Sequence, residues 1–144
     1  MNKKERITIE ISNTVPTFLR HMFPYVFNSL KVPPSQVMAL VSIQEHTRCS
    51  LKVLKAEMHV TAPTITGIID RLERDGYVKR SSDRIDKRIK NVALTLKGER
   101  VVREFRDNIK KRWGYILSKM PIETGENVLT IMKKITQGFK DGTI

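Results

Sequence analysis

Apolar residues recur along this chain with two different periods, and each change of period marks a change of element. Ile11, Val15, Phe18 and Met22 fall at steps of three and four, the stripe of an amphipathic helix. Pro16 and Pro24 lie inside that stripe, and an interior proline removes an amide and crowds the preceding turn. The N-terminal helix is therefore expected to be broken or kinked. A break at "VPPSQ" (32–36) leads into a proline-started helix whose apolar face holds Val37, Leu40 and Val41 and which ends near His46. Ser50 reads as the N-cap of a two-turn helix, "LKVLKAEMH", and Thr61 as the cap of a longer one, "APTITGIIDRLERDG". In that longer helix Pro63 sits in the first turn, where its missing amide does no harm, and Ile65, Ile68, Ile69 and Leu72 form the buried side. Gly76 follows as the glycine that stops it. The period then drops to two in "YVKRS" and "IKNVALTL", predicting a hairpin whose loop is longer than the tight two-residue type. Thr95 caps a long helix with a seam of Val102, Phe105, Ile109, Trp113, Ile116 and Met120, ended by Pro121. A last helix over 123–139 carries Val128, Ile131, Ile135 and Phe139 on one face.

Two capped helices joined by a short turn and followed by a hairpin make a winged helix-turn-helix. The expected fold class is mainly α with a small β-hairpin wing, organised as a winged helix-turn-helix plus terminal dimerisation helices. The expected divisions are 1–32 and 97–144 for the terminal helices and 33–96 for the reading domain. The second helix of the pair opens with short side chains, Thr61, Ala62, Pro63, Thr64, Thr66 and Gly67, which let a helix end sit deep in a DNA major groove. Its first amides also suit a phosphate. Arg71 and Arg74 lie further along, within reach of backbone phosphates, and Ser50, at the start of the preceding helix, belongs with this set. At the hairpin tip Arg84, Lys87 and Arg88 suit the negative minor groove. Asp86 lies two residues before Arg88, on the same face of an extended chain, where its carboxylate holds the guanidinium in one rotamer. The plainer alternatives are a cap with a solvated face, and an ordinary polar turn.

Charge sharpens this picture. The 144 residues carry a formal net charge of +12, with 40% apolar and 29% charged residues, a globular balance that favours a polyanionic partner. Cys49 is the single cysteine, so no internal disulfide forms, which suits a reducing compartment. The start has no apolar signal region and no run approaches a membrane span, so a cytoplasmic protein without a membrane partner is expected. No phosphate loop, zinc-protease motif or nucleophile elbow is present, so neither an enzyme nor a cofactor is expected. His21, His46, His59 and Cys49 do not make a metal site by their spacing. The rival from another class is a winged-helix module that docks a protein and leaves DNA alone.

Three motifs in order, "TAPTITGIIDRLERDGYVKR", "DKR" at 86–88 and "ALTLKGE", resemble the MarR (multiple antibiotic resistance regulator) family of winged-helix transcription regulators. The resemblance covers about 32–98. It implies a DNA-binding regulator of transcription, a repressor by expectation, acting as a homodimer on double-stranded DNA with a near-palindromic operator. Asp86 and Arg88 would be the wing pair, the residues from Thr61 would enter the major groove, and the first and last helices would interlock between protomers. It also implies a small aromatic or anionic effector in a crevice lined by Phe18, His21, Met22, Tyr25 and Val41, residues that otherwise read as core. Lys55 and His59 depart from the pattern, standing where alanine and a turn glycine are usual.

Overall fold

The computed structural model describes residues 1–144. Helix α1 (Lys3–Phe27) opens on a capping box: Asn2 Oδ1 accepts the Glu5 amide at 2.8 Å, and the Asn2 amide donates to Glu5 Oε2 at 2.8 Å. It then continues as one helix through Pro16 and Pro24, so the break that was one of the two outcomes expected there, a break or a kink, does not occur. Each proline removes one hydrogen bond, freeing the carbonyls of Ser12 and Arg20, and both residues are exposed to water that can satisfy them. Pro24 also sits within the last turn, where its own carbonyl accepts the Asn28 amide at 3.1 Å.

Helix α2 (Pro34–Gln44) follows and buries Val37, Ala39, Leu40 and Ile43. A two-residue strand β1 (Cys49–Ser50) comes next, then α3 (Leu51–Glu57), α4 (Ala62–Arg74), β2 (Val78–Ser82), β3 (Lys90–Leu94), α5 (Leu96–Leu117) and α6 (Ile122–Asp141). The strands form an antiparallel sheet in the order β1-β3-β2, with Val92 of β3 opposite both Cys49 and Arg80. Strand β1 carries no sequence signal, because two residues show no period; tertiary pairing with β3 makes it a strand. The mainly helical winged architecture is as expected.

The chain divides into two compact units, Met1–Asn108 and Ile109–Ile144, with α5 contributing to both. In the first, Ile65, Ile68, Ile69 and Leu72 form the inward stripe of α4 and share a core with Val37, Leu40, Leu54 and Val102. In the second, Trp113, Leu117, Ile122, Val128, Leu129 and Met132 line an apolar depression of about 390 Å³. Two details of the long seam differ from expectation. Met120 lies beyond the end of α5, and Pro121 is the N-cap of α6 rather than the residue that stops α5. No helix is long and apolar enough to cross a membrane.

The turn between α3 and α4 holds His59 at φ 52°, the left-handed region that glycine occupies without strain. The His59 side chain is exposed, and the bond its amide donates to Ala56 O at 3.3 Å is one that glycine keeps. His59→Gly is therefore expected to stabilise the fold by about 0.5–1 kcal/mol, the left-handed strain less the entropy glycine adds to the unfolded chain. A urea midpoint that falls would contradict this.

Candidate nucleic-acid interface

The first turn of α4 is set by Thr61, whose backbone is extended and whose Oγ1 accepts the Thr64 amide at 3.4 Å and meets Thr64 Oγ1 at 2.9 Å. Thr61, Ala62, Pro63, Thr64 and Thr66 are exposed, and Gly67 is half-buried. A Cβ built on Gly67 meets nothing within 4 Å, so the fold does not require glycine there. The sequence expectation of a phosphate-binding helix end is weakened: Pro63 has no amide, Thr64's is capped and Ile65's donates to Thr61 O, which leaves Ala62's. Arg71 and Arg74 are both exposed; Arg74 Nε lies 3.3 Å from Asp75 Oδ1.

Helix α4 and the hairpin are tied together by Arg80, on β2. Its Nη2 donates to Asp70 Oδ1 at 2.5 Å and its Nη1 to Glu73 Oε1 at 2.8 Å, while its amide donates to Glu73 Oε2 at 3.1 Å. The Arg80 side chain is only 23% exposed. Asp70 and Glu73 lie three apart on one face of α4, so the guanidinium fork is held from both sides. Local sequence spacing gives no sign of this contact, because the pairing spans seven and ten residues. The base of the hairpin is fixed a second way: Thr95 Oγ1 donates to Gly76 O at 2.6 Å and accepts the Gly98 amide at 3.2 Å, and the Thr95 amide donates to Tyr77 O at 3.1 Å. Lys97 Nζ donates to Asp75 O at 2.7 Å and sits 4.4 Å from the centre of the Tyr77 ring.

The wing tip is built on two aspartates. Asp83 Oδ1 accepts the amides of Ile85 at 2.8 Å and Asp86 at 3.1 Å, and Asp83 Oδ2 faces Arg48 Nη1 at 3.7 Å. Those two amides hold its carboxyl below the ordinary carboxylate range. The segment 86–89 is a turn closed by the Ile89 amide on Asp86 O at 3.0 Å, not the extended chain assumed from the sequence. The Asp86–Arg88 pair forms nonetheless, with the aspartate capping the turn. Arg88 Nε and Nη2 donate to Asp86 Oδ1 and Oδ2 at 3.0 and 3.1 Å, and its amide donates to Oδ1 at 3.0 Å. The guanidinium lowers the carboxyl's pKa, with a smaller contribution from the amide. The Arg88 side chain stays 91% exposed, with its remaining donors facing outward. Arg84 and Lys87 are exposed on the same loop.

Ser50 caps α3 through the Val53 amide, and with Lys52, Arg88 and Lys90 it lines an open depression of about 350 Å³. Ser50 and Arg88 thus come together, with two lysines the sequence reading did not single out. Of the five residues assigned to an effector crevice, Phe18, His21 and Tyr25 are exposed on α1, Met22 is half-buried there, and Val41 is half-buried on α2. Cys49 is 1% exposed, and burial, followed by the Glu57 carboxylate, pushes its thiol up to about 11, the opposite of a reactive thiolate. Glu57 Oε1 instead meets His46 Nε2 at 2.6 Å. No three metal-ligating side chains cluster.

Residues 32–90 match the profile described as MarR family. The HTH-type transcriptional regulator PapX of Escherichia coli is 30% identical over 109 residues, covering 73% of this chain and 64% of PapX, so the chain spans just under two thirds of that relative. A MarR family protein from Bacillus stearothermophilus superposes with a TM-score of 0.82 at 22% identity, covering 97% of this chain and 99% of that one. S. aureus MepR, solved bound to ethidium bromide, gives a TM-score of 0.64 at 20% identity over 89% of this chain and 95% of that one. A MepR mutant bound to an oligodeoxyribonucleotide gives 0.62 at 19%, over 96% and 99%. At these identities the solved structures speak for the fold.

Proposed function

We propose that this chain is a MarR-family transcriptional regulator that binds DNA through its winged helix, a homodimeric repressor acting on a near-palindromic operator. Helix α4 enters the major groove through Thr61, Ala62, Pro63, Thr64, Thr66 and Gly67, with Arg71, Arg74 and Ser50 on flanking phosphates. The wing enters the adjoining minor groove through Arg84, Lys87 and the Asp86–Arg88 pair. The observation that carries this reading is the Asp86–Arg88 pair itself: a 91% exposed guanidinium fixed in one orientation on a short turn. A carboxylate at a tip meant for a polyanion costs repulsion, which is offset where it holds a cation in one orientation, as Asp86 holds Arg88.

The homodimer is supported by the exposed apolar residues at both ends, Ile11, Val15 and Phe18 on α1 and Ile131, Ile135 and Phe139 on α6. Two reading domains related by a two-fold axis would address half-sites about 10 base pairs apart. MepR has been solved with an oligodeoxyribonucleotide and with ethidium bromide. By analogy of fold, this chain is proposed to be released from DNA by a small aromatic or anionic effector near Phe18, His21, Met22, Tyr25 and Val41.

The test is a binding titration, across a range of salt, on duplexes selected by the protein from a random pool, with the free protein sized in parallel. Log affinity should fall linearly with log salt at about −0.9 per phosphate contacted. A lone subunit that still binds tightly would overturn the dimeric reading, and no retained duplex would overturn the whole proposal.

A further inference from the structure

The wing tip holds one residue its charge does not explain. Ile85 is 92% exposed, between Arg84 and Asp86, with Lys87 the next residue along. Single exposed isoleucines are common on protein surfaces. This one occupies the apex of a loop, where small and polar residues are usual, and its amide is pinned to Asp83 Oδ1 at 2.8 Å. The same carboxylate holds Asp86, whose partner Arg88 is the oriented cation. Anything that brings the arginines into a groove therefore brings the Ile85 backbone, and its exposed side chain, close to that groove.

Resting on the proposed insertion of the wing, we propose that Ile85 is an apolar reader of the DNA minor groove, seated against the deoxyribose walls and selecting A·T over G·C pairs beneath it. The minor groove is narrow and walled by sugars, and its floor at A·T pairs presents only acceptors, whereas G·C adds the projecting amino group on guanine N2. An isoleucine over that group meets it sterically and leaves its donor without water or partner. The aliphatic side chain makes no phosphate contact, so it adds affinity and selectivity without adding to the salt dependence.

The experiment uses the full chain and a duplex selected by it from a random pool. The pairs flanking each half-site are set to A·T, G·C or inosine·C, which removes only the amino group. The wild-type protein should bind the G·C version about tenfold more weakly, and inosine should restore binding. Ile85→Ala, on a side chain that contributes nothing to the core, should weaken binding to the A·T duplex several-fold, lose the preference and keep the salt slope. If Ile85→Ala keeps both affinity and preference, the inference is overturned and the arginines alone account for the selectivity. If the wild-type protein retains no duplex at all, the proposed function falls with it.

Discussion

Gly98→Ala is expected to destabilise the first unit by about 3 kcal/mol, the upper end of the usual cost of overpacking, seen as a lowered urea midpoint with an unchanged slope. The sign is the informative part, because glycine to alanine within a helix ordinarily stabilises by about 1 kcal/mol. Here the added Cβ falls 2.2 Å from Tyr77 O and 3.2 Å from Tyr77 C. That backbone has little freedom to yield. Tyr77 O also accepts the Thr95 amide, the Tyr77 amide donates to Leu72 O at 2.8 Å, and Thr95 Oγ1 holds Gly76 O. Gly67→Ala is the matched control: it sits in α4 with nothing within 4 Å, so stability should rise. A Gly98→Ala protein as stable as the wild type would mean that α5 and the start of β2 do not meet as closely as described.

Arg88→Ala should cost about 1–3 kcal/mol of DNA affinity and reduce the salt slope by about 0.9, the signature of one lost phosphate-proximal cation. The fold should be untouched, since the side chain is almost wholly exposed and an ion pair so placed adds little to stability. Asp86→Asn removes the orienting carboxylate together with its repulsion of phosphate, so a net loss of affinity reports the lost orientation. The guanidinium remains but loses its bidentate partner, so affinity should fall less and the slope should hold. Anisotropy titrations at several salt concentrations resolve both quantities. An Arg88→Ala protein with unchanged slope and affinity would remove the wing from recognition.

The parts of this molecule legible in the sequence are those governed by local rules. The caps at Ser50 and Thr61, the isoleucine stripe of α4, the stop at Gly76 (φ 81°) and the hairpin strands each depend on residues within a few positions of one another. The left-handed residue in the α3–α4 turn was also foreshadowed, by a histidine where the family resemblance implies glycine. What escaped depends on distance along the chain. Strand β1 exists because β3 reaches it, and the Arg80 contacts need α4 and β2 folded first. The continuity of α1 through two prolines escaped for another reason: interior proline is disfavoured but not forbidden, and at exposed Ser12 and Arg20 water limits the cost of the lost hydrogen bond. At the wing tip the sequence named the right pair, Asp86 and Arg88, from the wrong geometry, an extended strand in place of a turn. It passed over Asp83, whose role is visible only once its carboxylate is seen collecting two amides.

The Arg80 fork has a bearing on redesign. It divides α4 into two territories: Asp70 and Glu73 are committed to β2, while Ala62, Thr64, Thr66 and Arg71 are exposed and appear in none of its bonds. A library that randomises the second group can search for new operator preferences without loosening the joint that fixes the angle between helix and arm. One that includes positions 70 or 73 would vary the address and the aim together, and its hits would not be interpretable as a code.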